Sequence, residues 1–285
     1  MGQLLLLIIN FGPVNEKQRY FIEIAFDGTA YHGWQIQPNA VTVQDLLNKA
    51  LSTILRQPVE TTGCGRTDAG VHATQLYAHA DVALVISRWT MDHSKPPTID
   101  HGPSTVDHNK WLGGLNALLP PDIAVKRIIP VHADAHTRFD ATLRSYEYHV
   151  HFHKDPFKIH RSWLLRDVPD VELMNEAAAI MMSYTDFSCF SRSNTQVKTN
   201  NCKISRAEWV KHDDGSLIFH ISADRFLRNM VRAIVGTLMM VGRGIISPLD
   251  IKEIIESKNR SNAGNSVPAC GLYLTEVKYS YPLAP

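Results

Sequence analysis

Alternating apolar residues and longer stretches with helical spacing divide the first half of the chain into five predicted elements. Alternation of apolar and polar positions is typical of a strand with one buried face, and a 3.6-residue apolar period is typical of an amphipathic helix. Thr42 precedes one such apolar stripe, with Asp45 three residues later as in a capping box. The predicted order is strand, helix, long strand, helix and strand, over residues 19–26, 42–55, 72–85, 108–118 and 123–129.

The second half begins again with a strand and approximately repeats that order. Its predicted elements are a strand, a helix, a hairpin, a helix, a short helix and a strand, over residues 144–152, 170–184, 206–222, 226–241, 247–257 and 271–281. We therefore expect an α+β fold with two related, pseudo-symmetric halves, at 1–130 and 131–285. Their mostly antiparallel sheets would join into one mixed sheet with helices on one face and an active-site cleft between the halves. Residues 87–107 lack apolar periodicity and read as a surface insertion.

Composition limits the class of protein without selecting a function. The 285 residues are 44% hydrophobic and 20% charged, as expected of a soluble globular protein. The 29 basic and 28 acidic residues neither support nor exclude a nucleic-acid partner. Four widely separated cysteines suggest neither a disulfide framework nor a zinc ribbon, and the apolar run 4–9 is too short to span a bilayer. These features favour a cytoplasmic protein without a membrane segment.

One stretch of the chain is locally basic. Between Lys126 and Arg166 there are eight Lys and Arg against four Asp and Glu, with six His in addition. Such a region suits a surface that follows phosphates, and it equally suits an ordinary solvated face. Both interpretations remain open at this point.

The segment Gly65-Arg66-Thr67-Asp68-Ala69-Gly70-Val71-His72, called the octet below, contains the candidate carboxylate. Taken alone, it reads as a turn in which Gly70 adopts positive φ. However, Asp68 lies in a connection that leads into a long predicted strand, and catalytic side chains are often mounted between rigid elements in this way.

Two further groups of residues could contribute chemistry. Arg225, Arg228 and Arg232 form a basic row at helical spacing in the segment 226–241, for which solvated arginines are the plain alternative. His149, His151 and His153 share one face of the strand 144–152 and could in principle bind a metal ion. No carboxylate or cysteine accompanies these histidines at a diagnostic spacing, so we expect no metal site.

Spaced blocks along nearly the whole chain resemble the TruA family of tRNA pseudouridine synthases. Their number and order make a chance similarity very improbable, whereas a match to the octet alone would not. The blocks are Phe26-Asp27-Gly28-Thr29-Ala30-Tyr31-His32-Gly33-Trp34-Gln35-Ile36-Gln37-Pro38, Thr42-Val43-Gln44, the octet, Leu115-Asn116-Ala117-Leu118-Leu119-Pro120, Arg138-Phe139-Asp140-Ala141 through Tyr146-Glu147-Tyr148, Asp186-Phe187, Met230-Val231-Arg232 through Gly236, and Gly271-Leu272-Tyr273-Leu274.

The resemblance implies a role for five residues. Asp68 would be the catalytic aspartate, and Arg232 would be the basic partner of its carboxylate. Tyr146 would pack against the target base. Arg66 would help to evict the target nucleotide from its stack, and Leu272 would line the pocket.

The resemblance also implies the reaction and the partners. Uridines at positions 38, 39 and 40 of the tRNA anticodon stem-loop would be isomerised to pseudouridine by a homodimer that needs no metal ion or organic cofactor. Isomerisation of this kind requires an ionised carboxylate, a pocket for the free base and exclusion of water. Two rival hypotheses are an RNA-binding protein of the same fold without catalysis, and a metal-dependent hydrolase that uses the three histidines.

Overall fold

The computed structural model describes residues 15–85, 107–191 and 199–283. It confirms an α+β fold, in which a nine-stranded, mostly antiparallel mixed sheet is combined with helices. The apolar run 4–9 and nearly all of the predicted insertion 87–107 lie outside the described residues.

The predicted elements appear in the predicted order. The strands are β1 Asn15–Phe26, β2 Thr62–Gly63, β3 His72–Val85, β4 Ile123–Val131, β5 Ala141–His151, β6 Trp163–Leu164, β7 Ile204–Lys211, β8 Leu217–Ala223 and β9 Leu272–Tyr279. The helices of four or more residues are α1 Val43–Leu55, α2 His108–Leu118, α3 Val171–Met181, α4 Met230–Gly242 and α5 Asp250–Glu256. None of the helices in these described ranges is long and apolar enough to cross a bilayer.

The last strand of the chain lies in the middle of the sheet and joins its two parts. The strand order is β4-β1-β3-β9-β5-β8-β7, with β2 paired to β3 and β6 paired to β5. Strands β3 and β9 run parallel through the pairs His72↔Tyr273 and Ala73↔Leu274, whereas β9 and β5 run antiparallel. The end of the octet therefore lies at the junction, because His72 is the first residue of β3.

Buried residues form two hydrophobic clusters. One contains residues of β1, β3, β4 and α1, and the other contains residues of β5, β7, β8, α3, α4 and α5. Leu274 and Val277 of β9 belong to the first cluster, so the C-terminal strand completes the core of the N-terminal part. Tyr146 packs against both clusters. The division of the chain at residue 130 stays a prediction.

Helix α4 is the most deeply buried helix and begins later than its pattern predicts. The apolar spacing predicted a start at Phe226, but Asn229 adopts a left-handed conformation with φ 66° and the helix begins at Met230. Arg225 and Arg228 therefore precede the helix, and the predicted basic row on one helix face is wrong. A side chain at Gly236 would approach the Asn265 carbonyl oxygen to 1.8 Å, so glycine allows the segment before β9 to pack closely on α4.

Candidate active site

The octet connects β2 to β3 and folds against the preceding loop at residues 31–34. The Gly70 N–H donates to the Tyr31 carbonyl at 3.3 Å, and the Trp34 N–H donates to the Thr67 carbonyl at 3.3 Å. Gly33 has φ +88°, and a Cβ there would lie 2.3 Å from the Thr67 oxygen. Gly70 has φ +76°, so the octet does contain the turn that its sequence predicted. These contacts give Asp68 a fixed backbone.

The carboxylate of Asp68 lies between two guanidinium groups. Arg232 Nη1 is 3.6 Å from Asp68 Oδ2, and Arg228 Nε is 3.8 Å from Asp68 Oδ1. The Asp68 side chain is 31% exposed. Within residues 15–85, 107–191 and 199–283, no hydrogen bond to this carboxylate is formed. Both oxygens are therefore held in a positive field and remain open to a ligand.

The two arginines are held differently. Arg232 lies in the first turn of α4, where its Nε donates to the Val267 carbonyl at 2.7 Å and its own carbonyl accepts from the Val267 N–H at 3.3 Å. Arg228 lies in the turn before α4 and is 55% exposed, compared with 20% for Arg232. Sequence reasoning selected Arg232 alone as the partner of the carboxylate, and Arg228 appeared only as a member of the predicted basic row.

Tyr146 lies on β5 opposite Leu274 of β9 and Ile221 of β8. Its ring meets the Phe226 ring edge to face, with centroids 5.1 Å apart. Burial raises the pKa of the Tyr146 hydroxyl, and the negative charge of Asp68 acts in the same direction. Tyr146 thus presents a neutral phenol near the octet. Phe226, its aromatic neighbour, was not identified from the sequence.

The remaining two predicted site residues differ in their exposure. Leu272 opens β9 opposite Tyr148, is 6% exposed and belongs to the second hydrophobic cluster. Arg66 is exposed, two residues before Asp68. The structure therefore brings Arg232 into contact with Asp68, leaves Arg66 at the surface of the same loop and places Leu272 in the core.

His72 closes the octet and has a structural role that the sequence did not reveal. Its ring is 2% exposed and stacks on Tyr273, with centroids 4.5 Å apart. Nδ1 accepts a hydrogen bond from the Gly28 N–H at 3.0 Å, which makes Nε2 the protonated nitrogen facing the carbonyls of His160 and Cys270 at 3.0 and 3.2 Å. Burial lowers the pKa of His72, although the Asp27 carboxylate, 3.1 Å from Nδ1, opposes that shift. His72 is therefore a neutral link between the octet and the second half.

Arg144 joins three segments around the candidate site. Its Nη2 donates to the carbonyls of Cys64 and Arg138 at 3.1 and 2.7 Å, and its Nη1 donates to those of Ala141 and Asp224 at 3.0 and 2.8 Å. Cys64 leads into the octet, and Asp224 leads into the turn that carries Arg228. Arg144 was not identified from the sequence, where its only signal was its place two residues before Tyr146.

Part of the locally basic stretch is paired with groups of the protein itself. Arg127 Nε contacts Glu23 at 2.5 Å and its Nη2 donates to the Tyr77 hydroxyl at 2.7 Å. Other partners in the region are Asp214 for Lys158, Asp27 for Arg161 and the Thr74 carbonyl for Lys126. Three of the eight Lys and Arg side chains of this stretch therefore have a carboxylate partner, and Lys126 has a carbonyl partner.

The three histidines of β5 and the loop after it have separate surroundings. His149 Nε2 lies 2.9 Å from the Glu147 carboxylate, and His151 Nδ1 lies 2.9 Å from the Ser162 hydroxyl. His151 is buried, whereas His153 is exposed. In the described part of the chain, no group of three or more His, Cys, Asp or Glu side chains is placed to hold a metal ion.

Comparison with known proteins gives consistent matches. A family model described as tRNA pseudouridine synthase matches residues 178–280. The tRNA pseudouridine synthase A of Bacteroides fragilis is 48% identical over 262 residues, which cover 92% of this chain and 96% of the relative. That of Porphyromonas gingivalis is 49% identical over 92% of this chain and 97% of the relative. That of Chromobacterium violaceum is 39% identical over 92% of this chain and 93% of the relative.

Proposed function

Because the chain belongs to the tRNA pseudouridine synthase A family, we propose that it modifies uridines 38, 39 and 40 of the tRNA anticodon stem-loop and that Asp68 is its catalytic group. Isomerisation of uridine in tRNA to pseudouridine follows from the family itself. The observation that carries the assignment to Asp68 is its geometry: an open carboxylate between Arg232 and Arg228.

The reaction exchanges one bond to the sugar for another. The glycosidic bond between N1 of the uracil and C1′ of the ribose breaks, the uracil turns within the pocket, and its C5 bonds to C1′. The proton on C5 is lost and N1 gains one, so the atoms balance without an oxidant, a reductant or a hydrolytic water. A carboxylate such as Asp68 serves this chemistry either as a nucleophile or as a base.

The other side chains suit supporting roles. The guanidinium of Arg232 favours the ionised form of a carboxylate, which an apolar pocket alone would disfavour. The neutral ring of Tyr146 would stack on the uracil and recover part of the free energy lost when the nucleotide leaves its stack. Arg66, exposed beside Asp68, would enter the space that the nucleotide vacates, and Leu272 would close the pocket on its apolar side.

The enzyme proposed here is a cytoplasmic homodimer that needs no metal ion and no organic cofactor. The location and the dimer come from the family resemblance, and the absence of a metal ion and of a cofactor also agrees with a reaction that has no net change of oxidation state. Activity that survives exhaustive chelation would support the absence of a metal requirement. Loss of activity that a divalent ion restores would instead revive the hypothesis of a metal-dependent hydrolase.

The experiment that tests this function maps the product. An unmodified tRNA transcript with uridines at positions 38 to 40 is incubated with the protein, and pseudouridine is located along the RNA. We expect product at these positions with the natural protein and none with the Asp68→Asn variant. Pseudouridine at other positions of the tRNA would overturn the assignment to positions 38 to 40. Product formed by the variant would overturn the role of Asp68, and tight binding without any product would indicate an RNA-binding protein.

A further inference from the structure

Phe139 is an exposed aromatic side chain that the proposed chemistry does not use. It lies in the turn between β4 and β5, and 76% of its surface is exposed. A phenylalanine exposed to this degree contributes little apolar burial to the fold. Single exposed apolar residues are common on proteins, so a function for this ring needs support from its surroundings.

The turn that carries Phe139 is held by a network of hydrogen bonds. The His136 N–H donates to the Asp140 carboxylate at 2.7 Å, and that carboxylate also accepts from the Tyr281 hydroxyl at 2.8 Å. His136 Nδ1 faces the N–H groups of Arg138 and Phe139 at 3.1 and 3.3 Å. The His136 ring also packs against the Phe139 ring, with centroids 4.2 Å apart. The exposed ring is therefore presented on a preorganised turn.

This turn is attached to the loop that carries Asp68. The same nitrogen of Arg144 donates to the Arg138 carbonyl and to the Cys64 carbonyl, at 2.7 and 3.1 Å. Cys64 immediately precedes the octet, so Arg144 links the backbone of the turn that carries Phe139 to the loop that carries Asp68. The guanidinium carbon of Arg138 lies 5.9 Å from the centre of the Phe139 ring and supplies a cation at the same place.

From this arrangement we propose that Phe139 and Arg138 form a platform for an unpaired RNA base that flanks the target uridine. The inference rests on the proposed function. When the target nucleotide is extruded, its neighbour loses a stacking partner, and an aromatic ring offers a replacement that every base accepts. Arg138 supplies the charge that a neighbouring phosphate requires. The platform thus orients the strand beside the site and takes no part in bond breaking.

A second exposed phenylalanine provides a contrast. Phe157 is 85% exposed and lines a cavity together with Asp27, Asp122 and Arg161, whose Nε lies 3.0 Å from the Asp27 carboxylate. The loop of Phe157 meets the end of the octet at His72, through the His160 carbonyl at 3.0 Å, so this ring has the exposure of Phe139 at a different place relative to Asp68. Phe157 is therefore the matched control for an effect that depends on position.

The test compares binding and turnover of the same unmodified tRNA by the Phe139→Leu, Phe139→Tyr and Phe157→Leu variants. Leucine keeps an apolar side chain and removes the ring, whereas tyrosine keeps the ring. We expect Phe139→Leu to raise the Kd and the KM for tRNA about tenfold, with a smaller change in kcat. Phe139→Tyr and Phe157→Leu should each stay within about twofold of the natural protein.

A second readout reports stacking directly. In the Asp68→Asn background, which separates binding from turnover, Phe139→Trp adds an indole whose emission we expect tRNA to quench. The emission of Phe157→Trp should not change. The platform would be overturned by equal quenching at positions 139 and 157. It would also be overturned if Phe139→Leu bound tRNA as tightly as Phe139→Tyr.

The oligomeric state tests whether the Phe139 ring contacts RNA or a second copy of the chain. Light scattering should give the same mass for the natural protein and for Phe139→Leu. A shift to a smaller species would show that Phe139 contacts a second copy of the chain, which would also overturn the proposal. If Phe139→Leu binds normally while pseudouridine still forms at positions 38 to 40, the platform fails and the proposed function stands. Absence of pseudouridine with the natural protein would instead remove the function on which the platform rests.

Discussion

Asp68 and His72 are four residues apart in the octet, but they differ in their exposure and in their contacts. Asp68 is 31% exposed and meets two guanidinium groups at 3.6 and 3.8 Å, longer than a hydrogen bond. His72 is 2% exposed, and its two ring nitrogens contact the backbone at 3.0 to 3.2 Å. His72 anchors the end of the octet to both halves, and the contacts of Thr67 and Gly70 with residues 31–34 fix the backbone around the open carboxylate. Within this short segment, His72 contributes to stability and Asp68 is available for chemistry.

The largest effect should come from Asp68. Replacing it with asparagine keeps the volume of the side chain and removes its negative charge, so we expect kcat to fall by at least about three orders of magnitude. The free energy of unfolding should change by less than about 1 kcal/mol, because the carboxylate is partly exposed and its ion pairs are long. Single-turnover assays and urea denaturation of the same preparation check both values. A large loss of stability would show that Asp68 is part of the structural anchor.

His72 should show the reverse pattern. Its replacement by alanine leaves the Gly28 N–H and two carbonyls without their partner and opens a cavity, so we expect to lose about 2–4 kcal/mol of unfolding free energy. Urea denaturation measures this loss, with the exposed residue His153→Ala as the control. At a temperature where the variant remains folded, kcat should stay within about tenfold of the natural value. Stability equal to that of the control would contradict an anchoring role.

Replacement of the more buried of the two arginines should cause the larger loss of kcat/KM. Arg232 is 20% exposed and fixed by the Val267 carbonyl, whereas Arg228 is 55% exposed and screened by solvent. We expect Arg232→Gln to lower kcat/KM about 100-fold and Arg228→Gln about tenfold. The Arg228 effect should shrink in high salt more than the Arg232 effect does. The opposite ranking would show that the residue in the turn is the main partner of Asp68.

The sequence predicted the elements well because their signals are local. The helix His108–Leu118 and the long strand His72–Val85 have the predicted limits, since alternation, apolar periodicity and proline act within a few residues. The start of α4 was predicted four residues too early, because the apolar spacing continues through Asn229 while the backbone turns left-handed there. Nothing in the local pattern marks that change.

The same distinction applies to the candidate site. Motifs could identify Asp68, but the part played by Arg144 depends on carbonyls at Cys64, Arg138 and Asp224, and these carbonyls have no sequence signature. For a similar reason, the sequence revealed the cations of the basic stretch 126–166 but not their partners. Charges were visible in the sequence, whereas the acidic partners came from distant segments such as Glu23 and Asp214. Local reasoning finds the charged groups, and only the fold pairs them.

The last prediction concerns acid and tests the histidine that anchors the end of the octet. Burial lowers the pKa of His72, and burial with the nearby His136 and Arg19 lowers that of His79 to about 4. His136, His151 and His220 also have lowered pKa values. The unfolded chain, with pKa values near 6.5, binds more protons than the native protein below that pH, so stability must fall as the pH drops from about 6.5 to 5.

Each imidazole that stays neutral in the native protein contributes a slope of about 1.4 kcal/mol per pH unit below the unfolded pKa. Carboxylates whose pKa values are lowered act in the same direction, but only as the pH approaches 4, so the histidines dominate above pH 5. Urea denaturation at pH 7, 6 and 5 measures the slope, and NMR titration of the imidazole protons assigns it to His72 and His79. A flat stability profile, or a His72 ring that titrates near 6.5, would contradict the neutral anchor. The Asp68→Asn variant should keep the natural profile in this range, because the carboxylate in the middle of the octet makes none of the contacts of the His72 ring.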